Sequence, residues 1–174
     1  MSSSFPPPEL REIVEEVAKL LKERKETISV AETAAGGLIS AALLSYPGAS
    51  GYYKGGLTLY TLESRIAFAG WTPEHLKTYK GPTPDIVAGL AEHTRKTLGS
   101  TYTVSESGTA GPTGGTTPNR TPGYVALAVA VEGKETVKSE VDTGLGGDRE
   151  GNMVRFAVEG LKLVRDTIKG QGKL

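Results

Sequence analysis

Helices and strands that alternate over the first two thirds of the chain, followed by a pair of strands joined by a tight turn, predict an α/β sandwich around a mixed sheet. Two observations carry this expectation. Apolar residues recur at three- and four-residue spacing in long segments near both ends, which is the mark of helices packed on one face. Between them, Tyr124–Val131 is almost wholly apolar, as expected of a strand covered on both sides. The 174 residues suit one domain, expected over 9–174, with 1–8 as a flexible tail in which Pro6, Pro7 and Pro8 favour extended geometry.

From Glu9 to about Lys25, Leu10, Ile13, Val14, Val17, Leu20 and Leu21 mark an amphipathic helix. Thr27–Ala31 reads as a short strand, and Gly36–Ser45 as a helix ended by Tyr46-Pro47-Gly48. Gly55–Tyr60 suggests a second strand, leading into a helix over about Leu62–Ala69. Thr72-Pro73 and Thr83-Pro84 each place a capping hydroxyl before a proline suited to the first helical turn. The second of these helices carries Ile86, Val87, Leu90, Ala91 and Leu98. Thr101–Ser107 reads as a strand, and Glu132-Gly133 turns the apolar strand into Glu135–Val141. A last helix over about Asp148–Lys169 offers Val154, Ala157, Val158, Leu161, Val164 and Ile168 to the core.

Composition narrows the chemistry. Twenty basic and twenty acidic residues cancel, so no net positive field points to nucleic acid. There is no cysteine, which removes thiol catalysis, thiolate metal sites and disulfides. With two histidines, His75 and His93, no multi-histidine metal site can form within one chain; no metal and no cofactor are expected. No segment approaches the roughly 18 apolar residues of a membrane span, and the N-terminus lacks the pattern of a secretory signal. The expectation is a cytoplasmic protein with no membrane partner.

Three segments carry candidate chemistry. In Val30-Ala31-Glu32-Thr33-Ala34-Ala35-Gly36-Gly37 a strand ends in a hydroxyl residue and a glycine-rich helix start. Free N–H groups at such a start receive an oxyanion or a phosphate. Thr33 is read either as a nucleophile beside oxyanion donors at Ala35, Gly36 and Gly37, or simply as a helix cap. Tyr60 ends the second expected strand and Arg65 lies in the helix after it; their plain reading is a half-buried strand tyrosine and a solvated helix arginine. The fifteen-residue loop Gly108–Pro122 is longer than most connections, which points to binding.

Glu32…Gly36-Gly37, Tyr60…Arg65, Gly108-Thr109-Ala110-Gly111-Pro112-Thr113-Gly114-Gly115 and Gly147-Asp148-Arg149-Glu150 together resemble the CinA C-terminal family, whose bacterial members deamidate nicotinamide mononucleotide. The likeness runs from about Leu10 to Ile168 and resembles the stand-alone form. It implies a three-layer α/β/α sandwich, self-association as a homo-oligomer, and an active site near the strand ends. The family pattern E-S-C-T-G-G, then a tyrosine with a lysine five residues on, is met here with Thr33 in the serine place and Arg65 in the lysine place. A neutral lysine can take a serine proton, whereas a guanidinium holds its protons, so Arg65 could only hold Tyr60 or an anion.

By the same resemblance Thr33, Tyr60 and Arg65 are the catalytic candidates. Glu32, Ala35, Gly36, Gly37, Thr83, Gly108, Thr109, Gly111, Gly114, Gly115 and Arg149 are the substrate-binding ones, for a small-molecule nucleotide. Three functions stay open: an amidohydrolase for nicotinamide mononucleotide or a close relative, a catalytically silent nucleotide-binding protein, and a different hydrolysis in the same pocket.

Overall fold

The computed structural model describes residues 4–170. Its elements are α1 (Pro8–Arg24), β1 (Ile28–Glu32), α2 (Leu38–Ser45), β2 (Tyr53–Thr58), α3 (Leu62–Phe68), α4 (Pro73–Thr78), α5 (Pro84–Leu98), β3 (Tyr102–Gly108), β4 (Tyr124–Val131), β5 (Val137–Asp142) and α6 (Arg149–Ile168). The five strands form one sheet in the order β2-β1-β3-β4-β5. The first three run parallel, and β4 and β5 are antiparallel additions. The mixed α/β sandwich is therefore the architecture the alternation predicted.

The two faces of the sheet differ because side chains alternate along each strand. Ile28, Val30 and Glu32 stand beside Tyr102, Val104 and Glu106 on one face, with Val125, Leu127 and Val129 further along. Large apolar residues there meet α1, α2 and α6 through Leu10, Val14, Leu21, Ile39, Leu43, Phe156 and Leu161, all essentially without solvent exposure. The opposite face shows Ala126, Ala128 and Ala130, against which Val87, Ala88 and Ala91 of α5 pack. Small side chains on both partners let α5 lie close to the sheet. Ser29, Ser100 and Thr103 share hydrogen bonds of 2.6–3.1 Å on that side, so their buried hydroxyls are satisfied.

Two boundaries move from their expected places. β2 lies two residues earlier than Gly55–Tyr60, which leaves Tyr60 beyond the strand end, exposed to 62%. Helix α2 begins at Leu38 rather than Gly36, because Gly36 and Gly37 adopt φ values of +68° and +100° that no helix accepts. Of the expected tail, Met1–Ser3 lies outside the described residues. Phe5 and Pro6 are tied to α1 through Arg11, whose Nη2 donates to both carbonyls. Among the described residues no helix is long and apolar enough to cross a membrane.

Candidate functional site

At the carboxyl ends of the parallel strands the order reverses beside β1, with β2 on one side of it and β3 on the other, the usual position of a site in open α/β sheets. Two structures adjoin there. One is the turn after β1, and the other is a cavity of about 250 Å³.

The turn is held from beneath by two carboxylates. Glu32 and Glu106 are register partners on β1 and β3, so both side chains lie on the same face under the start of α2. Glu32 Oε1 accepts from the N–H groups of Gly37 (2.9 Å) and Ile39 (3.1 Å), and Oε2 accepts from Ser40 (3.0 Å). Glu106 Oε2 accepts from Thr33 N–H (3.1 Å) and Ala35 N–H (2.9 Å). Burial pushes the Glu106 carboxyl up to about 7; the Ala35 hydrogen bond opposes this and the charge on Glu32 adds to it. Burial likewise raises Glu32, against the bonds from Ser40, Ile39 and Gly37. Glu106 Oε1 has no hydrogen-bond partner among the described residues.

This arrangement corrects three expectations. Thr33 does not cap α2; Glu32 does, through three backbone N–H groups. The N–H groups of Ala35, Gly36 and Gly37 are not free oxyanion donors, since Ala35 and Gly37 donate to the two carboxylates and Gly36 donates to Thr33 O at 3.1 Å. Glu32, in turn, is fully buried and facing its own helix rather than a ligand. Thr33 itself is 3% exposed, and its Oγ1 donates to Ser107 Oγ at 3.0 Å. Glu106 and Ser107 were missed in the sequence. The signal was there for Glu106, an acidic residue inside the otherwise uncharged strand Tyr102–Gly108.

The cavity has a different lining: Tyr60, Tyr79, Gly108, Gly111, Arg120 and Arg149 among others, with Ala34 connecting it to the turn. Arg149, the first residue of α6, reaches across it. Its Nη1 donates to Gly111 O (2.6 Å) and its Nη2 to Tyr60 Oη (3.2 Å). The helix start adds its own partial positive charge, and Asp148 Oδ1 caps it by accepting from Gly151 N–H at 3.1 Å. Gly81 and Pro82, which enter α5, close another side.

Thr83 is the cap of α5, accepting from Ile86 N–H at 3.2 Å, and is not in the cavity wall. Thr109 lines the cavity while its Oγ1 donates to Asn119 O at 3.0 Å. Gly114 and Gly115 lie outside the lining. A Cβ on Gly114 would come within 2.6 Å of Arg120 O, so that glycine lets the long loop fold back on itself. Arg65 also departs from expectation. It is 3% exposed, neither solvated nor bonded to Tyr60; its Nε donates to Leu59 O (3.3 Å), and Trp71 and Tyr79 face its guanidinium. The partner of Tyr60 is Arg149 instead. Among the described residues there is no group of three His, Cys, Asp or Glu side chains that could hold a metal ion.

Fold and cavity define an α/β sandwich protein with arginine, tyrosine and glycine-rich backbone gathered at the carboxyl ends of its parallel strands. Residues 10–168 match the CinA C-terminal domain. The chain belongs to that family. It is 35% identical over 153 residues to a CinA-like protein of Sulfurihydrogenibium sp., covering 87% of this chain and 38% of the relative. It is 32% identical over 160 residues to a CinA-like protein of Thermotoga maritima, covering 92% and 38%. The chain thus spans less than half the length of these relatives. The crystal structure of competence/damage inducible protein CihA from Agrobacterium tumefaciens shares the fold, with a TM-score of 0.87 over 96% of this chain and 99% of that one at 23% identity.

Proposed function

We propose that this chain binds a phosphorylated nucleotide of the nicotinamide mononucleotide type in the cavity beside Tyr60 and Arg149. The observation that carries the reading is the placement of Arg149. Two of its N–H groups are fixed on Gly111 O and Tyr60 Oη, which orients the guanidinium at the cavity and leaves its remaining donors for a phosphate. Arg120 adds a second cation, and the lining contains no acidic residue. Family membership supports the same ligand class. The protein works in the cytoplasm as a homo-oligomer and needs no metal or cofactor to bind.

A second reading, hydrolysis of the ligand carboxamide, is favoured by the position of Thr33, one residue from Ala34 in the cavity wall. For that chemistry the Thr33 hydroxyl must turn from Ser107 to the carbonyl carbon, its proton passing through water to the departing amide nitrogen. Ammonia leaves as the ester to Thr33 forms, and water then hydrolyses that ester, releasing the acid and restoring the hydroxyl. Arg65 takes no part in the proton transfer, because its guanidinium is engaged by Leu59 O and two aromatic rings.

Calorimetric titration with nicotinamide mononucleotide, run beside an ammonia-release assay, tests both. Binding that weakens at least tenfold in Arg149→Ala supports the nucleotide reading, and no heat from wild-type protein at millimolar ligand would overturn it. Ammonia release that vanishes in Thr33→Ala establishes the hydrolase. Binding without turnover leaves the protein a silent binder.

A further inference from the structure

Arg65 is the most unusual cation of the chain. It is 3% exposed, no carboxylate pairs with it among the described residues, and its buried Nη1 has no hydrogen-bond partner there. A guanidinium so withdrawn from water needs other compensation. Its company is aromatic: the Trp71 ring centroid lies 5.1 Å away and that of Tyr79 5.3 Å away. Trp71 and Tyr79 also meet edge to face at 5.9 Å, and Trp71 stacks on His75 at 5.4 Å. His75 is itself fixed, its Nδ1 accepting from Thr72 N–H at 3.0 Å.

One member of this stack, Tyr79, also lines the cavity. Arg65 therefore acts on the cavity wall in two places. Its guanidinium lies over the Tyr79 ring, and its Nε donates to the carbonyl of Leu59, the residue before Tyr60. A flat, rigid fork can do both; an ammonium on a flexible stem cannot stack in this way.

We propose that Tyr79 is the platform for the planar heterocyclic ring of the ligand, and that Arg65 is the positioning residue that holds the platform. The proposal rests on the nucleotide reading above and adds a division of labour: arginines 120 and 149 take the phosphate, and Tyr79 takes the ring. A half-buried ring held by Arg65 and Trp71 has little rotamer freedom left to lose on binding.

The test compares nicotinamide mononucleotide with ribose 5-phosphate, which has the phosphate and sugar but no ring, by calorimetry on wild type, Tyr79→Ala, Tyr79→Phe and Arg65→Lys. Tyr79→Ala weakens mononucleotide binding about tenfold, the scale of a lost base–aromatic stack, and leaves ribose 5-phosphate unchanged. Tyr79→Phe restores the mononucleotide. Arg65→Lys reproduces the Tyr79→Ala pattern and shifts the emission of Trp71, the single tryptophan of the chain, to longer wavelength. If wild type binds both ligands and Tyr79→Ala binds the mononucleotide as tightly as wild type, the platform is refuted while the nucleotide reading stands. Equal wild-type affinity for the two ligands refutes it as well. If wild type binds neither, the nucleotide reading fails and takes the platform with it. Should Arg65→Lys fail to fold, the tyrosine pair alone decides the platform.

Discussion

The turn that carries Thr33 and the cavity that carries Arg149 adjoin at Ala34, yet they are built in opposite ways. Thr33, Ala34 and Ala35 of the turn are buried, and the N–H groups of Thr33, Ala35 and Gly37 are taken by Glu32 and Glu106. The cavity is open, lined by guanidinium and phenol groups whose polar atoms face solvent as well as each other. A carboxylate buried under backbone donors stabilises a shape. A guanidinium at an exposed rim keeps donors to spare. The difference teaches that the glycine-rich helix start, which looks like an anion site in the sequence, is satisfied here from within the chain.

If the turn is structural and the cavity functional, substitutions in the two should separate cleanly. The largest effect on stability is expected from Glu32→Ala, which strips acceptors from three N–H groups in a buried place. A loss of roughly 3 kcal/mol in urea unfolding is expected. Unchanged stability would show that the start of α2 finds other acceptors.

Next comes the pH dependence set by Glu106. Its native pKa of about 7 lies above the ordinary carboxylate value of 4.5. The native state therefore holds a proton that the unfolded chain releases between those values. The contribution of Glu106 to stability is fullest below pH 4.5 and is lost as pH rises from there to about 7, by up to about 3 kcal/mol. Glu32 is raised too and adds a slope of the same sign. The difference between wild type and Glu106→Gln isolates Glu106, and the variant should show a flatter melting-temperature profile from pH 5 to 8. Parallel profiles would mean that Glu106 stays ionised in the folded protein.

Arg149→Ala should do the reverse of Glu32→Ala: stability within about 0.5 kcal/mol of wild type, since the residue is exposed, and phosphate-dependent binding weakened at least tenfold. A matching fall in melting temperature would instead mark Arg149 as a strut between α6 and the Gly108 loop. The smallest effect is expected from Ser107→Ala, which removes one neutral acceptor from Thr33 at a cost of about 1 kcal/mol. If amide hydrolysis occurs, Ser107→Ala also changes its rate, because Ser107 is the group that holds the Thr33 hydroxyl.

Much of the architecture was open to reading because it rests on local rules. Leu10, Ile13, Val14, Val17 and Leu21 repeat with the helical period and are buried together in α1. Thr83 and Asp148 cap the helices that their spacing marked. The site was legible only as a set of neighbours. Tyr60, Gly108, Thr109, Gly111 and Arg149 do meet in one cavity, but the sequence could not say that Tyr60 pairs with Arg149 across 89 residues rather than with Arg65 five residues on. Nor could it show Thr33 enclosed, since the enclosing atoms come from Glu106 and Ser107 on a strand more than seventy residues away.

By itself the sequence determined the order of the elements, the helix caps, the buried stripes and the family, because each depends on residues close together in the chain or on a pattern carried along it. Tertiary structure decided which N–H groups are taken up within the chain, which cation meets which ring, and which glycines line the cavity. Those outcomes depend on the strand order β2-β1-β3, which sets Glu32 beside Glu106, and on the loop before α5, which brings Tyr79 to a guanidinium from α3. Hydrogen bonds and burial are settled by what lies across a gap of a few ångströms, and only the folded chain fixes what lies there.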